Sequence, residues 1–220
     1  MDECIPPIIR DSRLFMYPFF YVWYKGNNIK KHIDFKSLVF DMSEEEFAAF
    51  YDERTSLATD RPTDLNEPSI QYMLKNIPKG TKRVLDVGCG NGYFLKKVKE
   101  AHPDIEIHGC DIKNDLDVEG GVYHKGNVEH MPFEDNSFDV VTCHHTLEHV
   151  INLQPSIDEL KRVAKHAIFI VVPKQRYFYY TLDEHVRFFP FEGSLTSVMG
   201  CEKYTCQNVW GDWVYIGKFD

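Results

Sequence analysis

The residues whose types and spacing suit chemistry fall in three stretches. The first, Val84-Leu85-Asp86-Val87-Gly88-Cys89-Gly90-Asn91-Gly92-Tyr93-Phe94, runs an apolar strand into three alternate glycines and then into a helical pattern. Glycine lets the backbone turn sharply there and lets a ligand approach main-chain amides. Asp111 closes the next apolar run, about 20 residues on, where an acidic side chain in such folds accepts hydrogen bonds from ribose hydroxyls. A dinucleotide fingerprint requires Gly or Ala three residues after its second glycine, and Tyr93 stands at that position. Asp86 suits a cationic amino group and sits poorly beside a pyrophosphate. The ligand these residues predict is a nucleoside that carries a positive group. The fit to a nicotinamide-dependent oxidoreductase is poorer, and a non-catalytic cofactor-binding regulator remains a reading from another class.

The second stretch is His144-His145-Thr146-Leu147-Glu148-His149. If Thr146 opens a helical turn, His145, Glu148 and His149 lie three and four residues apart and converge on one face. That trio could bind a divalent metal or supply a base. The expectation set first is a structural or cofactor-lining role with no metal. The third stretch, from Lys174 to Phe189, mixes Lys174, Arg176, His185 and Arg187 with Tyr and Phe, and is expected to face an acceptor. Its cations could hold a phosphate or carboxylate, or be solvated loop charges. For a hydroxyl acceptor the candidate bases are His185 first and His145 second. Upstream, Tyr51 and Arg54 are expected to give an aromatic wall and a cation over the bound ligand.

These groups need a scaffold that brings them to one edge. From Lys82 onward, short β-branched runs alternate with amphipathic stretches, the pattern of βα units on a mainly parallel sheet. Strands are predicted at 83–87, 106–110, 122–125, 138–144 and 167–172, with helices at 93–101 and 154–165, the latter N-capped by Asn152. The crossover between the second and third strands is predicted to be abbreviated. A short helix near 191–198 and an antiparallel hairpin at 202–206 and 213–218 follow. Residues 1–80 read as a helical cap or lid, with patches at 12–24, 43–53 and 67–76 and a Ser43/Glu46 capping box. Residues 81–220 read as the ligand-binding domain.

The run VLDVGCGNGYF, followed by GCDI and GNVEHMPFEDNSFDVVTCHHTLEHV, resembles the class I S-adenosylmethionine-dependent methyltransferases, most closely the ubiquinone-biosynthesis and sugar methyltransferase-like group. The resemblance covers residues 80–175 well. It implies a doubly wound α/β fold whose mostly parallel seven-stranded sheet ends in a reversed hairpin strand. It places Asp86, Gly88, Gly90 and Gly92 around the methionine part of S-adenosylmethionine, Asp111 on the ribose and Ile112 against the adenine. Asn127, Val128 and Glu129 fall at the adenine edge, with Asn127 where relatives commonly have Asp. His145-x-x-Glu148-His149 is similar to a Glu-x-x-Glu-His arrangement in some metal-using ubiquinone-type and small-RNA methyltransferases, with His145 in place of the first Glu. The implied reaction is methyl transfer to a small polar molecule, with O-methylation of a sugar or sugar phosphate ahead of a quinone or phenol.

Composition narrows the classes. With 220 residues the chain can bury one substantial core. Its net charge of −9 opposes non-specific binding to nucleic acid or anionic membrane, although a local basic patch stays open. The apolar run 14–24 is about half the roughly 20 residues a membrane span requires. Six cysteines without CxxC spacing, and an N-terminus without signal features, point to reduced thiols and the cytoplasm. The expected partner is a small-molecule acceptor, and the oligomeric state is left open.

Overall fold

A computed structural model describes residues 5–53, 61–114 and 116–219. Its organising element is β1 (Arg83–Val87), four of whose five residues are buried because the strand is covered on both faces. Parallel neighbours flank it: β2 (Glu106–Asp111) on one side and β4 (Phe138–His144) on the other. Adding β3 (Val122–Lys125), β5 (Ala164–Pro173), β6 (Lys203–Val209) and β7 (Asp212–Lys218) gives the seven-stranded order β3-β2-β1-β4-β5-β7-β6. β7 runs antiparallel to both β5 and β6. The expected α/β sheet with a reversed terminal strand is therefore present. Trp210 and Gly211 both have positive φ, as a two-residue hairpin whose twist matches its strands requires.

Side chains alternate across each strand, so β5 feeds two separate cores. Ile168, Ile170 and Val172 join α8 (Leu153–Val163) and α9 (Glu192–Met199) on one face. Ala167, Phe169 and Val171 join α6 (Glu67–Asn76) and α7 (Tyr93–Ala101) on the other. Ile70, Met73 and Leu74 of α6 pack into that second core. A boundary drawn at residue 80 thus separates α6 from the sheet it covers.

The remaining helices, α1 (Pro7–Arg10), α2 (Arg13–Trp23), α3 (Ile29–Ile33), α4 (Phe35–Leu38) and α5 (Glu44–Asp52), lie upstream. α2 continues through Pro18 rather than breaking there. α5 starts at the expected capping box, with Glu46 N donating to Ser43 Oγ and Ser43 N to the Glu46 carboxylate. Two local expectations are corrected. α8 ends at Val163 and the chain enters β5 at Ala164 without a loop, so the predicted helix overran and the predicted strand began late. Asn152 occupies the N-cap position of α8 without a side-chain cap; its amide donates to Glu129 instead.

α1 to α5 are fastened to the 177–188 loop. Arg10 donates to the Tyr177 carbonyl (3.0 Å) and Tyr179 N to Asp11 (2.8 Å). The buried Glu184 carboxylate meets the Tyr24 hydroxyl and His32 Nδ1, the latter at 2.9 Å. One hydrogen-bonded unit thereby links the helices to the segment that carries His185.

Candidate active site

At the C-terminal end of β1 the chain turns back under β2, with Gly88 N donating to the Cys110 carbonyl (2.7 Å). Gly88 is required twice over. Its φ is +73°, and a Cβ there would lie 2.0 Å from Thr146 Oγ1, so side chains are excluded both by backbone conformation and by space. Gly90, at φ +50°, points its N–H at Asp111 Oδ2 (2.9 Å), while Lys113 N donates to Asp111 Oδ1 (3.1 Å). Each carboxylate oxygen still has a lone pair, and Asp111 lines a cavity of about 960 Å³. That volume lies at the upper end of small-molecule sites and leaves room for a nucleoside cofactor together with an acceptor. Burial and the neighbouring Asp86 and Asp111 raise the Cys89 thiol far above its ordinary range, so it stays protonated.

Asp86, Gly88, Gly90, Asp111, Ile112, Asn127, Val128, Glu129, Tyr51, His145 and His185 all line this cavity. Their roles divide. Gly92 is not a lining residue; it forms the left-handed N-cap of α7. Asp86 is already engaged: Oδ1 accepts from Thr142 Oγ1 (2.7 Å) and lies 3.2 Å from His144 Nδ1. Asn127 Oδ1 accepts from Glu129 N (3.0 Å), which fixes the turn that follows β3. The Glu129 carboxylate holds Asn152 N and Nδ2 (2.9 and 2.8 Å), so its primary work is to anchor the start of α8. Arg54 lies outside the described residues. Among the described lining residues Arg61, paired with Asp64 (2.7 Å), and Lys113 bring positive charge to the cavity.

The second stretch folds into an ion cluster. His145 takes a left-handed backbone (φ +46°), which is strained for a non-glycine and typical of functional loops. Its Nδ1 lies 3.2 Å from Glu148 Oε1, and its Nε2 lies 3.5 Å from Asp212 Oδ2 at the start of β7. Burial opposes the charged form, but the two carboxylates outweigh it and raise the His145 pKa to about 10. An imidazolium has no lone pair. The expectation of His145 as an alternative base is therefore corrected: near neutral pH it is a structural cation.

His185 is buried, and its Nδ1 sits 2.7 Å from Gln175 Oε1. A carbonyl oxygen only accepts, so Nδ1 donates there, and in the neutral ring the lone pair is on Nε2. The His185 ring meets His149 edge-on at 4.8 Å, and His149 Nδ1 is 3.1 Å from the Tyr51 hydroxyl. Glu148, His149 and His185 offer ligand atoms within 4.8 Å of one another, and the buried Glu148 Oε2 has no hydrogen-bond partner. The basic residues expected to grip an anionic acceptor behave differently. Arg187 donates to the Val150 (3.2 Å) and Ile151 carbonyls. Lys174 Nζ lies over the Trp213 ring (5.8 Å), and neither Lys174 nor Arg176 lines the cavity.

His144 and Asp212 were missed as functional neighbours. Both owe their places to strand register: Thr142 pairs with Asp86 across β1 and β4, and Asp212 with Pro173 across β5 and β7. The linear signal was a histidine two residues beyond Thr142 and an acid opening the last strand.

Residues 85–172 match the family described as "Methyltransferase domain". Over that stretch the chain carries the signature of a methyltransferase domain. It is 32% identical over 111 residues to an uncharacterized methyltransferase of Schizosaccharomyces pombe, covering 43% of this chain and 40% of that protein. It is 32% identical over 134 residues to a demethylmenaquinone methyltransferase of Geobacillus kaustophilus, covering 55% and 56%. The chain thus spans about half the length, or less, of these relatives. A solved S-adenosylmethionine-dependent methyltransferase from Thermotoga maritima, described as a possible histamine N-methyltransferase, shares the fold with a TM-score of 0.56 at 19% identity, covering 68% of this chain and 87% of that one.

Proposed function

We infer that this chain transfers the methyl group of S-adenosylmethionine to an oxygen of a small acceptor, and that the acceptor is an aromatic ring alcohol of quinone or phenol type. The observation that carries the second part is the lining of the cavity. Phe40, Met42, Phe47 and Tyr51 form an aromatic and apolar wall, while Arg187 is spent on backbone carbonyls and Lys174 and Arg176 lie outside. The cations expected to grip a sugar phosphate are thus engaged or outside, and of the two that do line the cavity, Arg61 is paired with Asp64. The demethylmenaquinone methyltransferases among the relatives support a quinone-type ring in the acceptor.

The cofactor supplies an electrophilic sulfonium methyl. The chain's own residues do the rest. Asp111, held by Gly90 N and Lys113 N, receives the ribose hydroxyls, and the glycine turn admits the methionine part close to main-chain amides. The aromatic wall excludes water and orients a flat acceptor. His185 Nε2 takes the acceptor's hydroxyl proton, with Gln175 holding the tautomer that makes this possible. Residues 7–52 act as a cap, because their hydrogen bonds to the 177–188 loop hold His185 in place.

A second reading rests on Glu148, His149 and His185: a divalent cation bound there would lower the acceptor's pKa directly and occupy the His185 lone pair. Turnover with a panel of phenols and sugar phosphates, using a labelled methyl donor, tests the acceptor class; methylation confined to the sugar phosphates rejects it. Full activity in chelator with no metal in the purified protein removes the second reading, and full activity of His185→Ala removes the first.

A further inference from the structure

The ion cluster beside His185 does not balance. Glu148 and Asp212 are two carboxylates on either side of a single imidazolium, His145, so negative charge is in excess. The Asp212 end is relieved, because Asn66 Nδ2 donates to Asp212 Oδ2 (2.8 Å). The Glu148 end is not. Glu148 is fully buried and lines the cavity; Oε1 faces His145, and Oε2 has no hydrogen-bond partner. A buried carboxylate in this condition is costly until a positive or hydrogen-donating group compensates it.

The surroundings of Glu148 narrow what that group is. His149 and His185 each bring a ring nitrogen within 4.8 Å of a carboxylate oxygen. The Tyr51 ring meets His149 edge-on at 5.8 Å and packs on Phe47 at 4.9 Å, so the aromatic wall reaches the same end of the cavity. Aromatic faces attract a cation through their ring quadrupoles, and a cleft whose fixed charge has one sign focuses its field on the bound molecule. The neighbouring cations are used elsewhere: Arg187 donates to backbone carbonyls, Lys174 lies over Trp213 and Arg61 pairs with Asp64. Lys113 follows Asp111, on the glycine-turn side.

We propose that the acceptor is a ring alcohol that also carries a basic amine, and that its ammonium group supplies the positive charge missing from the Glu148–His145–Asp212 cluster. The proposal rests on the phenol reading of the acceptor and sharpens it. The aromatic wall holds the ring, the ammonium is drawn to the Glu148 side and the hydroxyl is left to His185. An anionic substituent in the same place meets the excess negative charge and is repelled.

The test is calorimetric binding at pH 7, with S-adenosylhomocysteine present, of phenols matched in ring and chain length that end in a hydroxyl, an ammonium or a carboxylate; turnover with a labelled methyl donor follows. The ammonium compound is expected to bind about tenfold or more tightly than the neutral one, and the carboxylate compound to bind most weakly. Glu148→Gln leaves His145 and Asp212 as a balanced pair and should bring the ammonium and neutral compounds within about twofold of each other. Asp212→Asn removes the same charge from the far side of His145 and should reduce the preference by less, which covers a Glu148→Gln protein that fails to fold. Equal wild-type affinity for the ammonium and neutral compounds, or a preference that survives in folded Glu148→Gln, overturns the proposal and leaves the phenol reading standing. Absence of binding and turnover with every phenol overturns both. A metal in the purified protein whose removal by chelator abolishes the preference makes that ion the missing charge and also overturns the proposal.

Discussion

Replacing His145 by Gln removes the positive charge between Glu148 and Asp212 and keeps a polar side chain of similar reach. The two acids lie 3.2 and 3.5 Å from the imidazole, and their pull raises its pKa from 6.5 to about 10. That difference corresponds to at most about 5 kcal/mol in favour of the folded, protonated form. Breaking a buried ion cluster by removing one partner costs about 3–5 kcal/mol, so His145→Gln should lose roughly that much in urea unfolding at pH 7. The sign of the pH dependence follows from the raised folded pKa: the stabilisation is complete below pH 6.5 and is lost as pH rises through about 10. Wild type should therefore approach the variant in stability between pH 7 and 10, while the variant lacks this component of the slope. Asp212→Asn added to His145→Gln should recover part of the loss, because it removes one stranded carboxylate, with a coupling of about 1–3 kcal/mol. A loss below about 1 kcal/mol at pH 7, together with an unchanged pH slope, would refute the cluster as described.

Gly88→Ala should destabilise by about 1–3 kcal/mol in thermal or urea unfolding, and Thr146→Ala should relieve part of this because the clash is with Thr146 Oγ1 at 2.0 Å. An unaffected Gly88→Ala protein would mean that the turn is not as drawn. Glu129→Ala should cost about 1–2 kcal/mol of stability by freeing Asn152 at the start of α8, while calorimetric cofactor affinity changes little; a large affinity loss would restore Glu129 to direct contact with the adenine.

Much of the scaffold can be read from the chain because its signals are local. Arg83–Val87, Val122–Lys125 and Tyr93–Ala101 have the expected bounds, since each is a short periodic run closed by Gly or polar residues. The junction at Ala164 was harder. Lys161 to Lys165 continues a helical pattern, and no turn residue separates α8 from β5. The glycine-turn side of the cavity was legible because Asp86, Gly88, Gly90 and Asp111 sit at or just beyond strand ends that the topology brings to one edge. The acceptor side was not, because a sequence shows that a residue is charged but not where it points. Arg187 reads as an anion clamp until the backbone carbonyls of Val150 and Ile151 take its guanidinium. His145 reads as a base until Asp212, 67 positions away, meets it across the sheet.

Isothermal calorimetry of S-adenosylmethionine against wild type and Asp111→Ala tests the central claim most directly. Saturable one-to-one binding is expected, weakened in Asp111→Ala by about 1.5–3 kcal/mol, roughly ten- to a hundredfold, with the fold intact. No binding by the folded wild-type protein, or equal affinity in the two proteins, would contradict it.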